Sequence, residues 1–130
     1  MHQGRADTPT PDEVAAFIRA SFRSVWDLEL LFHLRRTPTE NQHPATLVAS
    51  LRASELVVAN SLSALLAAGL IVAEPDSSVR YAPASAPLDR LVDEAERLYR
   101  RSPDAVRRMI VTAANSGIAA FADAFRLRKD

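Results

Sequence analysis

The 130-residue chain contains no cysteine, which excludes disulfide scaffolds, zinc ribbons and thiol catalysis. It has only three glycines, too few for a Gly-rich phosphate loop. Aromatic residues make up 6%, so a core must be assembled mainly from Leu, Val, Ile and Ala. No apolar run approaches the ~18 residues of a membrane span, and the opening MHQGRADTPTPDEV lacks the apolar centre of a signal peptide. These absences predict a soluble, cytoplasmic protein with no membrane partner. Net charge is missing as well: 16 basic residues balance 16 acidic ones. That argues against a strongly basic nucleic-acid clamp while leaving a dipolar arrangement open. One further absence is local. Between Ser54 and Val72 there is no Lys or Arg, and the only charge is Glu55.

What is present suits one globular domain, with 48% apolar and 25% charged residues. Residues 1–10 read as a flexible tail and 11–130 as a single domain. Thr10, Pro11 and Glu13 have the spacing of a capping box ahead of Val14, Phe17 and Ile18, predicting a helix over 11–20. A second helix starts near Ser21 or Ser24 and runs to Arg36. Its apolar residues cover more than one stripe, so several of its sides should be buried. TPTENQHP (37–44) is a connection, and PATLVASLRA (44–53) a short helix. Ser54 is a candidate N-cap for a helix whose stripe is Val58, Leu62, Leu65 and Leu66, with Gly69 as its left-handed stop. LIVAE (70–74) and VRYAP (79–83) around PDSS read as a β-hairpin. Leu88 to about Arg101 forms the next helix. Ser102 opens another carrying Val106, Met109, Ile110 and Ala113, which NSG (115–117) breaks. Ile118, Phe121 and Phe125 are again at helical spacing.

Chemistry-bearing clusters are sparse. His2, His33 and His43 have no i, i+4 partner of ligand type, so no metal site is expected. His33 reads as a packed or rim histidine and His43 as a helix cap. Each serine falls at a cap, in a turn or on a helix face, and adjacent acids such as Asp93 and Glu94 point apart on a helix. The expectation is a non-enzyme with no catalytic residue and no cofactor. RLYRRSPDAVRR (97–108) sets five Arg against one Asp. It reads either as a phosphate contact or, preferably, as a solvated face paired at i, i+4 with DEAE (93–96). Trp26, Phe32 and Phe17 read as core, with a small-molecule pocket as the minor alternative.

The order of helix, helix, helix ending in AGLI, strand, turn, strand, helix resembles the winged helix-turn-helix of bacterial transcriptional regulators, MarR-like or related. The resemblance runs from about Ser24 to Ala84 and is sharpest over SLSALLAAGLIVAEPDSSVRYAP. The closing FADAFRLRKD resembles the tail of uncharacterised bacterial regulator-like proteins. The resemblance implies a mainly α fold with a small two-stranded wing, a winged core over about 21–84, and extra helices before it and over about 85–130. It implies that the helix after Ser54 enters the major groove of double-stranded DNA. Ser54, Glu55, Val57, Asn60, Ser61 and Ser63 would face the groove, with Arg52 just before the helix and Arg80 on the wing. Related helices commonly carry a basic residue where this chain has Asn60, Ser63 or Ala64.

Nonspecific DNA affinity comes largely from Lys and Arg neutralising phosphates, so an uncharged helix leaves two readings open. In the first, the chain is a homodimeric DNA-binding transcriptional regulator. Ser and Asn contact bases, the helix N-terminus favours an anion, and charge comes from Arg52, Arg80, Arg35 and Arg36. In the second, a winged helix docks on a protein of the transcription machinery without reading bases. Leu91, Leu98, Val106, Met109 and Ile110 are the candidate dimer interface.

Overall fold

The computed structural model describes residues 8–115. It is mainly helical, with one small two-stranded antiparallel sheet. Residues 1–7 of the expected tail, the break after Asn115, the Ile118, Phe121 and Phe125 stripe and the closing FADAFRLRKD lie outside the described residues.

Helix α1 spans Pro11–Ser21 and carries the expected capping box. The Thr10 hydroxyl accepts from the Glu13 amide at 3.1 Å, and the Thr10 amide donates to the Glu13 carboxylate at 2.8 Å. Helix α2, Val25–Arg35, is capped by Ser24 and buries Leu28, Leu30, Leu31, Phe32 and Leu34. Burial on several sides follows from its apolar residues occupying more than one stripe. Helix α3, Pro44–Leu51, follows His43, which takes the N-cap position without a side-chain bond to the helix. Helix α4, Glu55–Ala67, is capped by Ser54 through the Val57 amide. Gly69 ends that segment at φ +74, where a side chain is strained.

Strands β1, Ile71–Ala73, and β2, Val79–Tyr81, pair with Ile71 opposite Tyr81 and Val72 opposite Arg80. Side chains alternate across a strand: Ile71, Val79 and Tyr81 are buried, while Val72 and Arg80 are half-exposed. The connection before α3 contributes to this sheet. Gln42 and Val79 exchange both backbone hydrogen bonds at 2.8 Å. That edge has no sequence signal, because a single bridging residue leaves no alternation to read.

Helix α5, Ala86–Arg101, is capped by Ser85, whose hydroxyl accepts from the Leu88 amide. A further helix, α6, begins at 103 and continues to 115, the end of the described residues. Helix α1 packs on α5, α2 on α4 and β2, and α4 on α3 and β1. One core joins all of these elements, from Ile18 and Phe22 through Leu28, Leu47 and Leu65 to Val92, Val106 and Ile110.

This packing takes two residues of the expected dimer interface off the surface. Val106 and Ile110 are fully buried within the chain's own core, and Leu91, Leu98 and Met109 are half-buried against it. Residues on the apolar face of a C-terminal helix look alike in sequence whether they meet a partner or the rest of their own chain. Here α1 packs on α5, and Val106 and Ile110 of α6 join the common core.

Candidate nucleic-acid interface on helix α4

The two sides of α4 differ sharply. Val58, Ser61, Leu62, Ala64 and Leu65 are buried. Leu56, Ala59, Asn60, Ser63, Leu66 and Ala67 are exposed at intervals of three and four, so they share one stripe. Its single charge is Glu55, exposed in the first turn on the same side as Ala59 and Leu66. Leu56 is 70% exposed and Leu66 40%. Leu66, expected on the core stripe, therefore faces out. Its immediate neighbour Leu65 points inward, and one helical step of about 100° separates them.

The expected groove-facing set is only partly brought to the surface. Glu55, Asn60 and Ser63 are exposed and Val57 is half-buried. Ser54 is exposed, but its hydroxyl already accepts from the Val57 amide at 3.1 Å. Ser61 is 1% exposed, so its hydroxyl lies on the core side and cannot face a groove. Small residues such as Ser fit either side of a helix, and composition alone does not place them.

Positive charge lies on the elements next to α4 rather than on the stripe. Arg52 is exposed in the turn between α3 and α4, with the left-handed backbone angles φ 54, ψ 39. Arg80 is half-exposed on the outward side of the hairpin. Arg23, exposed just before α2, lines a cleft of ≈460 Å³ together with Trp26, Asn60 and Ser63. Sequence reasoning passed over Arg23, because its nearness to α4 depends on how α2 packs. None of these three guanidinium groups pairs with a carboxylate among the described residues.

Acids are near the hairpin too. Asp76 is exposed at its tip, where its carboxylate accepts from the Ser78 amide at 3.0 Å and the Ser78 hydroxyl at 2.6 Å. These bonds hold its carboxyl below the ordinary carboxylate range. Ser77 completes the turn at φ 72. The Asp76 charge thus belongs to the turn's own geometry, with His43 3.8 Å away.

Arg35 was expected to lend charge to this surface. It is instead turned toward α5, where it pairs with Glu96 and, at 3.1 Å, with Asp93, and lies over the Tyr81 ring. The Tyr81 hydroxyl donates to Asp89 at 2.5 Å. Burial first, and then that bond, push the Tyr81 phenol well above its ordinary range. Partial burial works against ionising Asp93, yet hydrogen bonds from Arg35 and Arg97 hold its carboxyl below the usual range. Of the five arginines in 97–108, Arg97, Arg100 and Arg107 are paired. Arg97 meets Asp93, and Arg100 meets Glu96, both at i, i+4, while Arg107 meets Asp104. Trp26, Phe32 and Phe17 do not share a cavity: each borders a different cleft.

Among the described residues no helix is long and apolar enough to cross a membrane. No protein-family model, curated protein or solved structure matches this chain. Its functional reading therefore rests on its own geometry.

Proposed function

We propose that this chain is a DNA-binding transcriptional regulator of winged helix-turn-helix type. In this reading α3 and α4 are the helical pair, α4 is the reading helix and the β1–β2 hairpin is the wing. The observation that carries it is the open stripe of α4, polar at Asn60 and Ser63, with Arg23 and Arg52 beside it and Arg80 on the hairpin, none of them paired with a carboxylate among the described residues. Phosphate contacts position a protein on DNA, whereas base contacts specify sequence. A stripe whose one charge is Glu55 at its start, with Asn60 midway along the helix and arginines on adjoining elements, divides those two tasks. Arg52 adds support: a non-glycine residue held at positive φ costs stability and marks a position selected for something other than stability. Pairing of two copies would fall to Leu91, Leu98, Met109 and the 51% exposed Val111.

The test is the affinity for double-stranded DNA as a function of salt, compared between wild type and Arg52→Gly. Glycine fits the left-handed angle, so the variant stays folded and gains up to about 1 kcal/mol in stability. DNA affinity drops severalfold, and the slope of log affinity against log salt becomes shallower by about one. A wild-type affinity that ignores salt overturns the reading.

A second reading has its own observation. Leu56, Leu66 and Trp26 are exposed large apolar side chains, and such patches mark protein interfaces. Here the same stripe docks on a protein component of the transcription machinery. Leu56→Asp then abolishes capture of that partner in nuclease-treated lysate, while Arg52→Gly leaves capture intact.

A further inference from the structure

The cleft between the start of α2 and the middle of α4 has a composition that its neighbours lack. Trp26 is the chain's single tryptophan and is 41% exposed, whereas Phe17, Phe22, Phe32 and Tyr81 are all buried. Its indole borders a cavity of ≈460 Å³ whose other walls include Arg23, Val57, Asn60, Ser63 and Asp27. That volume is in the range of small-molecule sites.

The polar groups around the cleft fall into two kinds. Asp27 is 3% exposed, one carboxylate oxygen accepting from the Arg23 amide at 2.8 Å and the other from the Ser24 hydroxyl at 3.3 Å. It holds the backbone at the entry to α2. The side chains of Arg23, Asn60 and Ser63 are exposed, and no hydrogen bond among the described residues occupies them. The cleft thus offers an aromatic side chain, a carboxamide that both donates and accepts, a hydroxyl and a cation without a carboxylate partner among the described residues.

We infer that this cleft binds an adenine nucleotide. An exposed indole supplies a stacking surface for a base. A carboxamide matches the donor–acceptor edge of adenine, which presents an amino group beside a ring nitrogen. The Arg23 guanidinium provides the charge a phosphate requires. The nucleotide is either free or an unpaired residue of a strand, since both present the same base and phosphate. The inference needs no duplex contact, although Asn60 and Ser63 belong to both surfaces. A nucleotide in the cleft and a duplex on α4 exclude each other.

The lone tryptophan makes the test direct. Emission from Trp26, excited on the red edge so that Tyr81 and Tyr99 stay silent, is followed on the full chain during titration with adenosine 5′-monophosphate. Parallel titrations use a short single-stranded oligodeoxyadenylate and a blunt duplex. The expected result is saturable quenching by the mononucleotide. Asn60→Ala weakens it about tenfold. Arg23→Ala weakens the monophosphate severalfold and leaves adenosine unchanged. Both side chains are exposed, and unchanged thermal unfolding of the variants confirms that each is folded. Tighter binding of the oligonucleotide than of the monophosphate assigns the site to an unpaired strand, and the reverse assigns it to the free nucleotide. No quenching at millimolar monophosphate, or quenching that Asn60→Ala leaves unchanged, overturns the inference. Duplex binding without mononucleotide quenching overturns this inference and keeps the regulator reading. Mononucleotide quenching without duplex binding does the opposite.

Discussion

Two faces of this molecule carry polar groups in opposite ways. Where α2, β2 and α5 meet, charges are matched. Arg35 is shared between Asp93 and Glu96, Tyr81 is bonded to Asp89, and Tyr99 donates to Glu29 while accepting from Arg107. On the outward side of α4, the stripe carries only Glu55, and Arg23, Arg52 and Arg80 pair with no carboxylate among the described residues. A matched network joins elements and has little left to offer a partner. An open stripe beside unpaired guanidinium groups adds nothing to folding, so its composition is free to serve binding. The densest arginine stretch of the sequence lies on the matched side, which shows that local charge density by itself does not locate a binding face.

The comparison can be broken most forcefully with two adjacent leucines. Leu65 is fully buried and Leu66 is 40% exposed. Leu65→Ala should cost about 3 kcal/mol, whereas Leu66→Ala should stay within about 0.5 kcal/mol. Urea unfolding of both variants measures the difference, and equal costs would erase the distinction between the two sides of α4.

Next in size is the charge network. Arg35→Ala removes the cation between Asp93 and Glu96, whose side chain is 12% exposed. A loss of about 2 kcal/mol is expected, because among the described residues Glu96 keeps only Arg100. Arg80→Ala, on the open side, should change stability by no more than about 0.5 kcal/mol. Similar losses from both would place Arg80 in the fold rather than on a binding face.

Smaller again is Gly69→Ala. A methyl group there meets Ala84 Cβ at 3.5 Å and Leu88 Cδ2 at 4.0 Å, which is ordinary contact, so the cost comes from the positive φ alone. About 1 kcal/mol is expected, and thermal unfolding checks it. A much larger loss would point to crowding instead.

The smallest effect is a pH dependence. Tyr81 titrates above its ordinary value because it is buried and bonded to Asp89. A phenol whose folded pKa is raised stabilises the fold fully below the unfolded pKa of about 10, and that contribution is lost as pH rises through the folded value. Unfolding midpoints should therefore fall on the alkaline side, and Tyr81→Phe should flatten part of that fall. Tyr99, raised by burial and then by its bond to Glu29, accounts for a further part. An alkaline profile unchanged in Tyr81→Phe would remove Tyr81 from the matched network.

Much of the local architecture was legible in the residues. Thr10, Ser24 and Ser54 cap helices because a hydroxyl satisfies a free amide at a helix start. Gly69 takes a positive φ because it lacks a Cβ. The hairpin around Pro-Asp-Ser-Ser follows from turn chemistry between two apolar runs. Periodicity also separated the well-buried α2 from its neighbours. The reading was less secure for the candidate interface. Ser61 is small enough to sit within the buried side of α4, and Leu66 lies at the edge of the exposed side, so neither is placed by residue type alone. Arg23 stood outside the expected set, and Arg35 within it pointed elsewhere.

The sequence by itself determined where the helices and strands start and stop, because caps, turns and periodicity act over a few residues. Only the tertiary structure decided which faces remain open. It buried Val106 and Ile110 within the chain, drew Gln42 to the sheet, turned Arg35 to α5 and set Trp26 beside Asn60. Each of those outcomes depends on which surfaces meet across long separations in the chain, and an apolar or charged side chain carries no record of the partner it will find.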